Sequence, residues 1–269
     1  MDGKFEASQV ASPALYDRYV GPLLMAPYAA DLARRVAGRA AGRVLELACG
    51  TGIVTRALDA ALAPAVEIVA TDLDPEMLAA AREITGPTRI AWRIADAQDL
   101  PFADREFDAV LCQFGAMFFP DRPAAFRQAR RVLRPGGRFI LNVWDSLAAN
   151  ELQDVVARAL AGLFPGHAAR FTERAAFCCH DRAALRQQCR AAGFAAVKGE
   201  TVALTARAPS AGEAATAFCR GSGFGAEVVA LDPGRFDEAT QAVTDALAAR
   251  FGAGPIEAGM RAHVVTARR

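Results

Sequence analysis

The stretch RVLELACGTGI at residues 43–53 constrains the fold more than any other part of the chain. Its first half is apolar enough for the end of a buried strand, and the residues from Ile53 onward have helical spacing. Gly50 and Gly52 between them permit a tight turn and a close backbone approach to a ligand. A strand, a glycine turn and a helix in this order form a corner that cradles a nucleotide.

Neighbouring residues exclude two other kinds of nucleotide-binding turn. The dinucleotide fingerprint G-x-G-x-x-G requires glycine or alanine three residues after Gly52, where this chain has Thr55. A phosphate-binding loop requires lysine followed by serine or threonine, and the turn has neither. Glu46, just before the turn, would repel a pyrophosphate but attract an amino group. The corner therefore favours a nucleoside with a cationic tail.

The motif ELACGTG resembles motif I of the class I S-adenosylmethionine-dependent methyltransferases, whose usual form is acidic-x-Gly-x-Gly-x-Gly. Ala48 stands where the first glycine is usual. The resemblance implies an α/β fold with a Rossmann-like, mostly parallel sheet, an antiparallel final strand and a helical cap. It also implies S-adenosylmethionine as cofactor, held by the motif residues Glu46, Ala48, Gly50, Thr51 and Gly52. The alternative is an ordinary strand–turn–helix without a ligand.

An acidic residue follows the second predicted strand, at residues 66–71. Asp72 lies about twenty residues after the glycine turn, where a carboxylate binds ribose hydroxyls. Asp74 is instead predicted to cap the helix that begins at Pro75. Leu73 and Met77 are candidates to pack on the two sides of an adenine, with core packing an equal alternative for Met77.

The resemblance extends to the ends of the next strands. It implies that Asp96 accepts a hydrogen bond from the adenine amine and that the backbone of Ala97 contacts the ring. Gln113 opens the segment QFG after a strand at 107–112, and strand carboxyl ends form the ligand crevice of open α/β sheets. Gln113, Phe114 and Gly115 are therefore expected to face the methyl donor or acceptor, with Asn142, Trp144 and Asp145 after strand five on the same side.

The whole chain is expected to divide around this core. The predicted division is 1–41 as an N-terminal helical lid, 42–145 as the cofactor-binding core, and 146–269 as the completion of the sheet (about 181–206 and 256–267) with inserted helical cap segments (about 147–180 and 207–255). Within the lid, residues 1–12 are expected to be loose, and Gly21-Pro22 and Pro27 to break the helices. Tyr16 and Tyr19 are candidates to cover the cofactor, with plain packing the alternative.

Composition limits the partners and the compartment. The net charge of +1 offers no basic excess for nucleic acid. No apolar run reaches membrane-spanning length, and the first residues lack an apolar signal region, so a cytoplasmic protein is expected. The six cysteines are interpreted as mostly reduced core residues. Cys178-Cys179-His180 has no second cluster to complete a metal site, so no metal is predicted. A homodimer and a monomer both remain open.

The predicted reaction is in-line substitution at the methyl carbon of a sulfonium. Positioning supplies much of the effect, and a base is needed when the acceptor must lose a proton. His180 is the candidate base, His167 is a second, and His263 in the final strand is interpreted as structural. The phenylalanine-rich segments around the predicted crevice suit a small apolar or aromatic acceptor, methylated on O, N or C.

Residues 42–143 resemble the quinone-biosynthesis and natural-product branches of the family, which implies a role in secondary metabolism. Two alternatives remain. One is a protein that binds S-adenosylmethionine without methylating, either a regulatory module or an enzyme of another reaction type. The other is a nicotinamide oxidoreductase, which Thr55 and Glu46 disfavour.

Overall fold

The protein is described here by a computed structural model, which covers residues 10–38 and 42–269. Most of the predicted loose start and the end of the predicted lid lie outside the described residues. Within them, one seven-stranded sheet has the order β3-β2-β1-β4-β5-β7-β6. The strands are β1 Arg43–Leu47, β2 Glu67–Asp72, β3 Ala91–Ile94, β4 Phe107–Gln113, β5 Leu133–Trp144, β6 Ala196–Ala208 and β7 Ile256–Arg268.

Helices connect the strands. The helices are α1 Pro13–Leu15, a π-helix Tyr16–Met25, α2 Ala26–Val36, α3 Ile53–Ala61, α4 Pro75–Thr85, α5 Arg122–Val132, α6 Glu151–Leu163, α7 Ala169–Thr172, α8 Arg182–Ala191, α9 Ala211–Gly221, α10 Gly223–Leu231 and α11 Phe236–Phe251. Single 3-10 turns lie between them, including Ala116–Phe118, Pro165–His167 and Ala175–Phe177. Among the described residues, no helix combines the length and the apolar character needed to cross a membrane.

The five strands β3, β2, β1, β4 and β5, in their order across the sheet, run parallel to one another. β1 pairs in parallel with both β2 and β4, and β7 runs antiparallel to β5. The predicted fold class, a Rossmann-like and mostly parallel sheet with an antiparallel final strand, is confirmed. Because parallel strands end on the same edge, the residues after β1 to β5 lie along one carboxyl edge of the sheet.

The described chain forms two compact units. Of the described residues, 26–38, 42–145, 175–202 and 262–269 form the sheet unit, and 10–25, 146–174 and 203–261 form the helical unit. The predicted division into lid, core and cap segments stays a prediction.

Apolar side chains of the helices and of β1 form the core of the sheet unit. Leu32 and Val36 of α2 lie one helical turn apart and are fully buried together with Val44 of β1. Leu58 of α3 and Leu78 of α4 complete the layer against the sheet. Burying a side chain of this size contributes roughly 1.5–3 kcal/mol, so this cluster stabilises the strand–turn–helix at residues 43–61.

The helical unit has its own core. Phe218 of α9 meets the ring of Phe224 of α10 edge-on, with the ring centroids 6.0 Å apart. Phe236 and Leu247 of α11 are almost completely buried. Ser222 separates α10 from α9, because its Oγ accepts a hydrogen bond from the backbone N–H of Phe224 and caps α10.

One predicted break is wrong. Gly21-Pro22 does not interrupt the N-terminal helices, because both residues lie inside the π-helix, whose altered hydrogen-bond pattern tolerates a proline without an N–H.

The turn residues 134–137 belong to β5. They lie at an irregularity where Phe107 pairs with Leu133 and Ala109 already pairs with Arg138.

Candidate active site

The turn after β1 has an unusual backbone. Ala48, Gly50 and Gly52 all have a left-handed conformation, with φ of 51°, 54° and 81°. A Cβ on Gly52 would lie 2.8 Å from Cη2 of Trp92, so glycine is required there by space as well as by conformation. The left-handed conformation of Ala48 costs roughly 1–2 kcal/mol, which the usual glycine would avoid.

Gly115 makes room for the alanine at position 48. A Cβ on Gly115 would lie 2.5 Å from the Cβ of Ala48 and 3.0 Å from the Sγ of Cys112. The small side chain that replaces the usual first glycine therefore occupies space that Gly115 leaves open. Sequence reasoning noted both positions but could not relate them, because they follow different strands.

Asp72 ties the end of β2 to the glycine turn. Its Oδ2 accepts a hydrogen bond from the Gly50 N–H at 2.7 Å, and its Oδ1 accepts one from the Asp74 N–H at 3.0 Å. The carboxylate is half-buried and retains acceptor capacity for ribose hydroxyls. Asp74 accepts from the Glu76 N–H at 2.8 Å, so it caps α4 as expected.

Glu46 lies deeper in the site. It is 1% exposed, and the Thr55 hydroxyl donates to its Oε2 at 2.6 Å. Burial, and secondarily the neighbouring Asp72, raise the pKa of Glu46 to about 8, against the hydrogen bond from Thr55 and the attraction of Arg56. Thr55, which excluded the dinucleotide fingerprint, is thus the direct partner of Glu46. An ammonium group would favour the ionised form of this carboxyl.

The end of β3 offers a polar group beside apolar surface. Asp96 accepts from the backbone N–H of Gln98 at 2.8 Å and from its side-chain amide at 3.1 Å, and Ala97 is buried. Leu73 is 65% exposed and Ile94 is 60% exposed, whereas Met77 is half-buried. Exposed apolar side chains next to a carboxylate are suited to an aromatic base. Sequence reasoning missed Ile94, although its position at a strand end was a usable signal.

The residues after β4 and β5 pack against each other. Phe114 has φ of 50°, and its N–H is shared between the Oδ1 and the backbone O of Asn142 at 3.0 and 3.1 Å. Its ring stacks on Trp144 with centroids 3.9 Å apart, and Tyr28 of α2 meets Phe114 edge-on at 5.3 Å. Gln113 beside them is half-buried. Sequence reasoning missed Tyr28, which comes from a helix well before the motif.

The histidines occupy different settings. His180 is exposed, and its Nδ1 lies 2.8 Å from the carbonyl O of Phe177, an arrangement in which a neutral ring carries its hydrogen on Nδ1 and leaves Nε2 as the acceptor. His263 is buried between the Thr201 hydroxyl, 3.0 Å from its Nδ1, and the carbonyl O of His180, 2.8 Å from its Nε2. This environment supports the structural role expected of His263.

The remaining candidates lie elsewhere. His167 and Tyr19 belong to the helical unit, and Tyr19 there carries the guanidinium of Arg18 over its ring at 5.2 Å. Their predicted roles, like that of His180 as a base, stay predictions. Across the described ranges, no group of three or more His, Cys, Asp or Glu side chains is arranged to hold a metal ion.

Comparison with known proteins gives the class of this domain. Residues 45–141 match the family model described as a methyltransferase domain. The demethylmenaquinone methyltransferase of Deinococcus radiodurans is 44% identical over 101 residues, which cover 37% of this chain and 42% of that protein. The ubiquinone/menaquinone biosynthesis C-methyltransferase UbiE of Dinoroseobacter shibae is 41% identical over 123 residues, 44% of this chain and 48% of that protein.

A solved structure extends the similarity in fold to almost the whole chain. The crystal structure of the cyclase SpnF has a TM-score of 0.57 and 20% identity, and covers 97% of this chain and 94% of that one. The chain itself spans less than half the length of the curated relatives it matches. Residues 45–141 are thus similar to methyltransferase domains, and the resemblance identified from the motif is confirmed.

Proposed function

We propose that this protein transfers a methyl group from S-adenosylmethionine to a small apolar or aromatic molecule. One observation carries the proposal: Glu46, Asp72 and Asp96 stand at or near the carboxyl ends of three neighbouring parallel strands, around a left-handed glycine turn. Three acidic side chains favour a cationic nucleoside over a phosphorylated one.

Each group then has a distinct partner on the nucleoside. Asp72, already oriented by Gly50, accepts hydrogen bonds from the ribose hydroxyls. Asp96 accepts from the adenine amine, and Leu73 and Ile94 supply apolar contacts to the ring. Glu46 attracts the amino group of the methionine part. Ala48, Thr51, Gly52, Met77, Ala97 and Gln113 complete the proposed binding residues of the sheet unit.

The bound cofactor supplies an activated methyl group on a sulfonium. The protein aligns the acceptor opposite the sulfur, and orientation of this kind is worth on the order of 7–11 kcal/mol at best. We propose a ring carbon of a hydroxylated aromatic acceptor, of the kind that a quinone methyltransferase uses. His180 Nε2 would take the hydroxyl proton, which makes the ring carbon electron-rich. The near-zero net charge supports a small molecule over a nucleic acid.

A second candidate is a different reaction that uses the same cofactor site. The similarity in fold to a cyclase supports this second candidate, because the fold does not specify methyl transfer. A binding-only regulatory module is the other form of this alternative. Product formation separates both from the main proposal.

The first test is calorimetric titration with S-adenosylmethionine, S-adenosylhomocysteine and NADH in parallel. We expect both sulfur nucleosides to bind and NADH not to bind. Labelled methyl transfer is then assayed against hydroquinones, phenols and amines. Absence of binding by either sulfur nucleoside would overturn the proposal, and binding without any methylated product would favour the second candidate.

His180→Ala tests the proposed base. We expect kcat to fall roughly a hundredfold or more for an acceptor that must lose a proton, since general-base catalysis contributes on that scale. The dissociation constant of S-adenosylhomocysteine should not change. His167→Ala, in the helical unit, is the matched comparison, and a loss of kcat in this variant alone would make His167 the base. Equal rates for His180→Ala and the unmodified protein would remove His180 from the mechanism.

A further inference from the structure

Two adjacent cysteines form a thiol pair that the proposed reaction does not use. Cys178 and Cys179 follow the 3-10 turn Ala175–Phe177, and their Sγ atoms lie 3.5 Å apart. Cys178 is exposed, whereas Cys179 is only 8% exposed. One sulfur is therefore accessible to small reagents, and the second lies directly behind it.

An arginine defines the chemistry of this pair. Nη1 of Arg122, the first residue of α5, donates to the Sγ of Cys179 at 2.8 Å and lies 3.6 Å from the Sγ of Cys178. A guanidinium at this distance stabilises a thiolate and repels a metal cation. The pair thus suits an electrophile or an oxidant better than a metal ion.

The other four cysteines are not accessible in the way that Cys178 is. Cys49, Cys112, Cys189 and Cys219 are all buried. Burial raises the pKa of Cys112 and of Cys189 to about 12, which keeps both as unreactive thiols. Burial, followed by the contact with Cys178, also raises the pKa of Cys179 to about 12 against the effect of Arg122. Cys178 is therefore the attacking sulfur, and Cys179 is the sulfur that resolves the product.

We propose that Cys178 and Cys179 are a peroxide-reactive thiol pair that closes to a vicinal disulfide. The Cys178 thiolate attacks one oxygen of hydrogen peroxide, the O–O bond breaks, and a sulfenic acid and hydroxide result. The Cys179 sulfur then attacks the Cys178 sulfur, the S–O bond breaks, and hydroxide leaves while the Cys179 proton passes to solvent. Overall two thiols and one peroxide give one disulfide and two waters.

The disulfide should be easy to reduce because the two cysteines are adjacent in the chain. The Cα atoms of adjacent residues are about 3.8 Å apart across a trans peptide, which is shorter than the roughly 4.4–6.8 Å of most disulfides. Strained disulfides of this kind are reduced readily, so the modification is reversible by ordinary cellular dithiols.

Oxidation also removes a contact to the carboxyl edge of the sheet. The Cys178 thiol donates to the backbone O of Met117 at 3.6 Å, and Met117 lies in the 3-10 turn just after Gly115. A disulfide has no S–H to donate. Closure of the pair therefore releases a hydrogen bond in the loop that follows β4.

The test is brief exposure of the full chain to hydrogen peroxide, followed by mass mapping of the cysteine peptides. We expect the peptide with Cys178 and Cys179 to lose two hydrogens, and dithiothreitol to restore it. Cys179→Ser should stop at a sulfenic acid on Cys178 that dimedone traps, and Cys178→Ser should not react. Arg122→Gln should react roughly threefold to tenfold more slowly because the thiolate loses its cation.

Cys189→Ser is the matched control, because Cys189 is fully buried in α8, and it should leave the reaction unchanged. Any of three results would overturn the proposal: equal peroxide labelling of the buried cysteines, sulfinic acid on Cys178 with no disulfide, or a disulfide between two chains on a non-reducing gel. Circular dichroism confirms that each variant is folded before its reaction is compared.

Discussion

Two carboxylates on neighbouring strands of the same sheet have opposite environments. Asp108 lies near the start of β4, where its Oδ2 accepts from the N–H groups of Gly42 and Arg43 at 2.8 and 2.9 Å, and its Oδ1 accepts from Arg134 at 2.9 Å. Glu46 lies near the end of β1 and has the Thr55 hydroxyl as its hydrogen-bond donor at 2.6 Å.

These different environments lower the pKa of Asp108 and raise the pKa of Glu46. Partial burial acts to raise the pKa of Asp108, but the N–H of Arg43, the Arg134 guanidinium and the N–H of Gly42 together lower it below its ordinary value. Burial dominates at Glu46 and raises its pKa to about 8. A carboxylate surrounded by donors stabilises the fold, whereas one buried with a single hydroxyl donor is suited to a cationic ligand.

Asp72 should show the largest effect of the carboxylates at the carboxyl edge. We expect Asp72→Ala to weaken S-adenosylhomocysteine binding by about 2–4 kcal/mol, because two charge-assisted hydrogen bonds to ribose are lost. Asp74→Ala is the control, since it removes a helix cap two residues away and should leave the affinity unchanged. Calorimetry measures both, and an unchanged affinity in folded Asp72→Ala would contradict the assignment.

Replacing Asp108 should affect stability and not cofactor binding, which is the reverse of the expectation for Asp72→Ala. We expect Asp108→Ala to lower the free energy of unfolding by about 2–3 kcal/mol, because two backbone N–H groups and a guanidinium lose their shared acceptor. The affinity for S-adenosylhomocysteine should stay the same in the folded fraction. Urea unfolding and calorimetry on one preparation test both halves, and a loss of affinity without a loss of stability would break the comparison.

The effect of Glu46→Gln on stability should depend on pH. Because the folded-state pKa of about 8 lies above the ordinary value of 4.5, the folded protein holds this proton more tightly than the unfolded chain. Its contribution to stability is therefore present at low pH and decreases as pH rises from 4.5 to about 8. The slope approaches about 1.4 kcal/mol per pH unit.

Glutamine does not titrate, so the variant should lose this slope and should unfold at a higher temperature than the unmodified protein above pH 8. Thermal unfolding from pH 5 to pH 9 measures the difference, with Glu106→Gln at the amino edge as control. Parallel curves for Glu46→Gln and the unmodified protein would show that Glu46 is not buried in its neutral form. The variant should also bind the cofactor more weakly, since a cationic amino group loses a carboxylate partner.

Local sequence determined the central strand, the turn and the helix after it, because ELACGTG combines a buried strand end with two glycines. The cap at Asp74 was predicted correctly for a similar reason. Residue 74 precedes Pro75 at a helix start, and its side chain accepts from the Glu76 N–H, an interaction between residues two apart. Properties of this kind depend on near neighbours, so the sequence alone is sufficient to predict them.

Contacts between distant residues required the tertiary structure. Ala48 fits only because Gly115, after another strand, lacks a side chain. The π-helix accepts Pro22, and Arg122 approaches the sulfurs of Cys178 and Cys179 although they lie more than fifty residues later. The sequence showed that Glu46 is acidic and near the turn, but its raised pKa follows from burial and, secondarily, from the neighbouring Asp72. Burial and proximity are properties of the folded chain, which no single stretch of sequence contains.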